Sequence, residues 1–168
     1  KGCNLCFTKG EEFCPLKDDR DLLIRKMEES DGIIFATPNY AFHTPAVMKC
    51  MIDRMAFMLH RPRYFGKTFT AVVSQGILGG EDIVKYLCNS IGKNLGFSVS
   101  KGCVVRWSLE PKTEKQQKQA VRRIDKCAVR FYAALSREKN PSPGFFRLML
   151  FRISRTNIKT ILNASFCS

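Results

Sequence analysis

The sequence predicts an α/β fold in which a doubly wound parallel sheet is covered by helices, and three observations predict it. An apolar run without polar alternation at residues 32–36 reads as a parallel strand covered on both faces, and further strand segments follow at 68–74 and 102–107. A stretch with apolar residues at helical spacing follows each run. Gly, Pro or Asn punctuates most of the junctions. Strands alternating with helices imply right-handed crossovers and ligands held beyond the carboxyl ends of the strands.

The elements follow in chain order. Residues 18–30 read as a helix that Asp18 or Asp19 can cap, with Leu22, Leu23 and Met27 on its apolar side. The run at 32–36 breaks at Thr37-Pro38-Asn39-Tyr40. Thr44 can cap the next helix, with Pro45 in its first turn and Val47, Met48, Met51, Ile52, Met55 and Leu59 as its stripe. The second strand ends in a glycine-containing loop over 75–80. A helix with Ile83, Val84, Leu87, Cys88, Ile91 and Leu95 on one side follows, and Gly96 is placed to end it. Residues 97–107 contain the third strand. Pro111 opens a long helix over 111–137, striped by Val121, Ile124, Cys127, Ala128, Phe131 and Leu135. A Pro- and Gly-containing hinge at 140–144 separates a domain of residues 1–140 from a basic amphipathic extension over 141–168. There, residues 143–161 are expected to form a helix that docks on a partner subunit through Phe146, Leu150 and Ile153, which makes a homodimer the expected assembly.

Composition bounds the function. The chain has 168 residues, 45% of them apolar and 26% charged, a globular composition. No apolar run approaches the roughly 20 residues needed to cross a bilayer. The chain opens Lys-Gly-Cys rather than with Met, from which we expect that it begins within a longer protein. The net charge of +13 is uneven: residues 1–100 hold 13 Lys/Arg and 11 Asp/Glu, residues 101–168 hold 15 and 4. The basic third reads as solvated helix faces, or as a surface for nucleic acid, anionic lipid or phosphorylated ligands. Zinc-finger spacing, an RNA-recognition signature and aromatic–basic interleaving are all missing, which argues against nucleic acid. Eight cysteines, mostly single and set among apolar residues, suit a reducing compartment, the cytoplasm, better than a disulfide scaffold.

Three constellations carry chemistry. Thr37, Pro38, Asn39, Tyr40, Ala41 and Phe42 form a loop at a strand's ligand-binding end, with rings to stack on and backbone groups to bond ligand edges, as a flat heteroaromatic ligand requires. The alternative is an ordinary loop with Tyr40 packed inward. Ser74, Gln75 and Gly76 open the second such loop, where glycine permits close backbone approach. Cys3, Cys6 and Cys14 have the compact spacing of cluster or redox thiols, or are free thiols. His43 and His60 lack any catalytic or metal-binding partner pattern, and no catalytic acid or base can be named.

Thr37-Pro38-Asn39-Tyr40, then Met48-Lys49 and Asp53-Arg54, resemble the P-x-Y and K-x-x-x-D-R block of the NAD(P)H-dependent FMN reductases. Cys3, Cys6, Cys14 and Lys17-Asp18-Asp19 resemble the cysteine segment of the related iron–sulfur flavoproteins. The resemblance implies a flavodoxin-like doubly wound parallel sheet of which strands three, four and five are visible, strands one and two and the FMN phosphate loop being expected upstream of Lys1. It implies FMN held by Thr37, Pro38, Asn39, Tyr40, Ala41, Phe42, Ser74, Gln75 and Gly76. It implies NAD(P)H as substrate, a small-molecule acceptor such as a flavin or quinone, and a 4Fe–4S cluster on Cys3, Cys6, Cys14 and a fourth upstream ligand, although Cys6 and Cys14 stand further apart than in the tight cluster form. Lys49, Asp53 and Arg54 are expected to be structural. The other readings are a non-catalytic electron carrier of flavodoxin or iron–sulfur type and a basic adaptor for nucleic acid or membrane.

Overall fold

The computed structural model describes residue 3, residues 5–106 and 113–137, and positions 145, 148, 149, 152, 153 and 156. Its elements are α1 (Leu5–Thr8), a 3-10 turn (Glu11–Phe13), α2 (Arg20–Glu29), β1 (Gly32–Pro38), α3 (Ala46–Arg54), a 3-10 turn (Ala56–Leu59), β2 (Thr68–Gln75), α4 (Gly80–Lys85) running into a π-helical turn (Tyr86–Gly92), β3 (Ser98–Val99), β4 (Cys103–Arg106) and α5 (Glu114–Leu135). Trp107, Pro111, the hinge, and Phe146 and Leu150 of the expected tail contact lie outside the described residues.

Among the described residues all strand pairs are parallel. β1 runs beside β2 from Gly32↔Thr68 to Pro38↔Ser74. β2 pairs on its other side with β3 at Thr68↔Ser98 and with β4 at Val72↔Cys103 through Gln75↔Arg106. β3 and β4 are therefore two ends of one interrupted strand, which matches the single strand expected within 97–107. Gly102 sits at the interruption, where a β-carbon would lie 2.3 Å from the Ala71 carbonyl oxygen. Only glycine fits so close to a neighbouring backbone. The described strands thus run three abreast, as the last three strands of a flavodoxin-like sheet.

Side chains alternate across a strand, and β2 shows both covered faces. Phe69, Ala71 and Val73 are wholly buried on one, where Gly92 of the π turn packs on the Phe69 ring. On the other, the Thr70 hydroxyl lies 3.8 Å from Cys127 Sγ of α5. The helices therefore wind on both faces. The main core joins Ile24, Met27, Ile33, Phe35, Ile52, Phe57, Met58, Tyr64 and the buried face of β2 with Ile83, Leu87, Ile91 and Leu95. Tyr64 and Phe97 stack with centroids 4.5 Å apart, and Phe35 meets Phe69 edge-on at 4.9 Å.

Several expectations need correction. Among the described residues β1 is covered on one face only: Ile33, Phe35 and Thr37 are buried, whereas Ile34 is 53% exposed and Ala36 is exposed. Beyond Gly32, which meets Phe131 and Leu135, α5 does not lie over that second face. The same gap leaves Val121 and Ile124 of α5 exposed. The inward side of α2 is Arg20, Ile24 and Met27, not Leu22 and Leu23, which face water. Pro45, not Thr44, occupies the N-cap of α3, and Val47 points to solvent. The helix expected over 83–95 has the right stripe, every member buried, but its second half is π-wound. Gly96, at φ 104°, ends it. α5 begins at Glu114 behind a capping box in which the Thr113 hydroxyl accepts from the Gln116 N–H at 3.3 Å and the Gln116 side chain accepts from the Thr113 N–H at 3.0 Å.

Candidate functional site

The loops after β1 and β2 emerge side by side because the register brings Pro38 level with Ser74. Asn39 ties them together. Its N–H donates to the Ser74 carbonyl at 2.7 Å, and its Nδ2 donates to the Leu78 carbonyl at 2.8 Å. Its Oδ1 is buried without a hydrogen-bond partner. A buried acceptor left alone costs about 1–3 kcal/mol, which a donor arriving from a ligand edge would remove.

The first loop then makes a tight hairpin. Tyr40 and His43 exchange two backbone hydrogen bonds of 3.0 Å, and Ala41 and Phe42 between them sit at φ 49° and 64°. Two successive left-handed residues are the signature of a type I′ turn, a conformation usually left to Asn and Gly. The turn directs two rings outward: Tyr40, which precedes it, is 64% exposed, and Phe42, within it, 71%. Tyr40 does not pack inward. His43 is held from behind, with Nδ1 3.1 Å from the Thr44 hydroxyl and its ring 5.0 Å from that of Tyr86.

The second loop completes the cradle. Gly79 has φ 93°, and a β-carbon there would meet Asn39 Nδ2 at 3.2 Å and the Phe42 ring at 3.3 Å. Gly76 faces open space, and Ile77 and Leu78 are exposed beside it. Gln75 is turned inward, where its Oε1 accepts the Gly80 N–H at 2.6 Å at the start of α4. Of the expected ring-holding residues, Pro38, Asn39, Tyr40, Ala41, Phe42 and Gly76 therefore border one open surface, and Ser74 contributes its carbonyl to the tie. The side chains of Thr37 and Gln75 are buried and serve the scaffold. Ile77, Leu78 and Gly79, which lie in the glycine-containing loop expected over 75–80, belong to the same neighbourhood, as does Tyr86, which the sequence did not single out. Glycine at 79 was the available signal, whereas Tyr86 reaches the loop only through the tertiary fold.

This surface fits a flat heteroaromatic group: aromatic faces, two glycine positions permitting close approach, and an orphaned acceptor for an edge donor. The sequence matches the family of NADPH-dependent FMN reductases over residues 2–108. The chain belongs to that family. An iron–sulfur flavoprotein of Archaeoglobus fulgidus is 38% identical over 110 residues, which cover 60% of this chain and 49% of that protein. The chain thus spans about half the length of that curated relative. Among solved structures, a Klebsiella pneumoniae protein described as a candidate quinone reductase has a TM-score of 0.58 at 19% identity, covering 72% of this chain and 59% of that one. An NADPH-quinone reductase from P. pentosaceus has a TM-score of 0.51 at 19% identity, covering 76% of this chain and 90% of that one. These likenesses establish the flavodoxin-like α/β fold of this FMN reductase family member.

The cysteine segment is a separate feature, pinned by arginines. Arg54 Nη2 donates to Cys14 Sγ at 3.4 Å and to Asp18 Oδ1 at 3.0 Å, while its Nε donates to Asp18 Oδ2 at 2.6 Å. Arg20, almost wholly buried, reaches Cys6 Sγ at 3.7 Å and the Glu11 carbonyl at 2.9 Å. Arg63 pairs with the Glu11 carboxylate, and Arg20 and Arg63 lie 5.6 and 5.5 Å from the ring centroid of Phe57. The hydrogen bond from Arg54 holds the Cys14 thiol below its ordinary pKa, and the same residue keeps the Asp18 carboxyl low. Arg54 is thus structural, as is the Lys49–Asp53 pair on α3. Cys6 and Cys14 both border Arg20 at the start of α2, while Cys3 is exposed. Among the described residues no three His, Cys, Asp or Glu side chains converge as a metal site. Cys3, Cys6 and Cys14 do not form such a group.

Proposed function

We propose that this chain carries the isoalloxazine site of an FMN-dependent oxidoreductase, which draws electrons from NAD(P)H and delivers them to a small planar acceptor of the quinone or flavin class. The carrying observation is the pair of strand-end loops locked by Asn39, with Tyr40 and Phe42 turned outward beside Gly76 and Gly79. Family membership supports the cofactor, and the quinone reductases of the same fold support the acceptor class. Bound FMN supplies the two-electron redox chemistry. The chain's residues do the positioning. Tyr40 and Phe42 offer ring faces, Asn39 Oδ1 accepts from a ring-edge donor, and Gly76 and Gly79 leave room for the ring to approach the backbone. Ile77 and Leu78 add apolar surface that keeps water from the ring's flank.

Titration of FMN against the protein, followed by flavin fluorescence, tests the site. Tyr40→Ala is expected to weaken binding by about 0.5–1.5 kcal/mol beyond the lost contact area, the usual worth of an aromatic stack. An affinity unchanged by this exposed substitution would count against the assignment.

A further inference from the structure

Reduction of a quinone by NAD(P)H consumes a proton. The quinone takes up two electrons and two protons, whereas NAD(P)H gives both electrons with a single proton, as hydride. Over the whole reaction NAD(P)H, a quinone and one proton become NAD(P)+ and a hydroquinone. The extra proton comes from water or from a side chain. The loops over 38–44 and 75–79 contain two ionisable side chains, Tyr40 and His43. Imidazole is the side chain that gives and takes protons near neutral pH, which a phenol does not.

The fold places His43 at the base of the type I′ turn, exposed and next to Phe42 of the cradle. Its ring is held on two sides. Nδ1 lies 3.1 Å from the hydroxyl of Thr44, which is itself buried. The ring meets that of Tyr86 at 59°, with centroids 5.0 Å apart. Tyr86 in turn lies within electrostatic reach of Lys49 of α3, whose charge Asp53 neutralises. Among the described residues nothing bonds Nε2. With Nδ1 occupied by Thr44, the exchangeable proton of the imidazolium is the one on Nε2.

We propose that His43 is the general acid of this site, delivering the extra proton from Nε2 to an oxygen of the quinone and recovering it from water. The Nε2–H bond breaks and an O–H bond forms on the acceptor. The imidazole is left neutral, its remaining proton on Nδ1 donated to the Thr44 hydroxyl. The proposal rests on reading the two loops as the flavin site and the acceptor as a quinone.

Titration of FMN into the whole protein, followed by NMR, tests the placement. The chain has two histidines, and the imidazole signal that disappears in His43→Gln is expected to shift as FMN is added to the parent. Menadione and ferricyanide, compared as acceptors, test the role, because ferricyanide takes electrons without protons. His43→Gln is expected to keep FMN affinity and ferricyanide reduction within about twofold of the parent and to reduce menadione about a hundredfold more slowly, the lower end of what a positioned acid supplies. A His43 signal that stays in place while FMN binds overturns the proposal. So does menadione reduction by the variant at the parent's rate. Equal losses with both acceptors overturn it as well, since they would make His43 a support of the loop rather than an acid. A parent that binds no FMN overturns the flavin reading, and one that binds FMN but reduces no menadione overturns the acceptor class; either result takes this proposal with it.

Discussion

At the scale of single residues, backbone strain and buried thiols stand out. Ala41 and Phe42 occupy the left-handed region without being glycine, at roughly 1–2 kcal/mol each. Such strain persists where the surroundings over-determine it, and here the Asn39 tie and the Gly79 contact do so. The return is that both rings face outward at the strand ends. Buried acids give a prediction of their own. Burial pushes the Cys103 thiol from an ordinary 9.0 up to about 12, and the Tyr64 hydroxyl from 10.0 to about 12. Both groups keep their protons in the folded state after the unfolded chain has released them. Their contribution is therefore whole below about pH 9, and folding stability declines as pH rises from there toward 12. Urea unfolding midpoints measured across that window are expected to fall, and Cys103→Ala should flatten part of the slope. A midpoint that stays level from pH 9 to 11 would contradict the burial of both groups.

At the scale of elements, what was legible depended on whether a stretch has neighbours on every side it presents. β2 and the helical stripe from Ile83 to Leu95 read correctly because nearly all their apolar residues are covered, Val72 alone being half-buried. Periodicity tells which residues are able to be buried, not what lies opposite, so Ile34, Val47, Val121 and Ile124 were misjudged. The π turn at Tyr86–Gly92 changes the winding without changing residue type, which leaves no sequence mark. The Thr113–Gln116 box was readable but outshone by Pro111. The break between β3 and β4 is the element-level feature with the sharpest consequence. Gly102 leaves no room for a side chain, because the obstruction is the Ala71 backbone rather than a flexible group. Gly102→Ala must push β4 off β2 and is expected to destabilise the fold by about 3 kcal/mol, at the upper end for overpacking. Gly76→Ala, where a methyl meets open space, is the matched control and should stay within about 0.5 kcal/mol in the same chemical denaturation.

At the scale of the whole molecule, the fold class was visible in advance, and so was the position of the aromatic loop relative to the strands. Strand–helix alternation points to the carboxyl edge of the sheet, and the aromatic loop lies there. The tie between Asn39 and Leu78 was not visible, since it joins residues 39 positions apart and exists only once β1 and β2 are in register. The inward turn of Gln75 was hidden for the same reason. Sheet order also determines where this molecule is exposed. Among the described residues β1 pairs with β2 alone, and the uncovered face of that edge strand carries Ile34 and Ala36. An apolar strand with one side unpaired among the described residues is a template for pairing, with an upstream strand of a longer chain or with another chain. Position 34 points away from Ile33 and Phe35, so a charge there leaves the core face intact. Ile34→Lys is therefore expected to reduce self-association in concentration-dependent light scattering, while urea stability changes by no more than about 0.5 kcal/mol, as for other exposed sites. Scattering as strong as the parent's would clear the edge as the route of association. A large loss of stability would mean instead that Ile34 is covered in the working protein, since only a buried lysine destabilises a fold in that way.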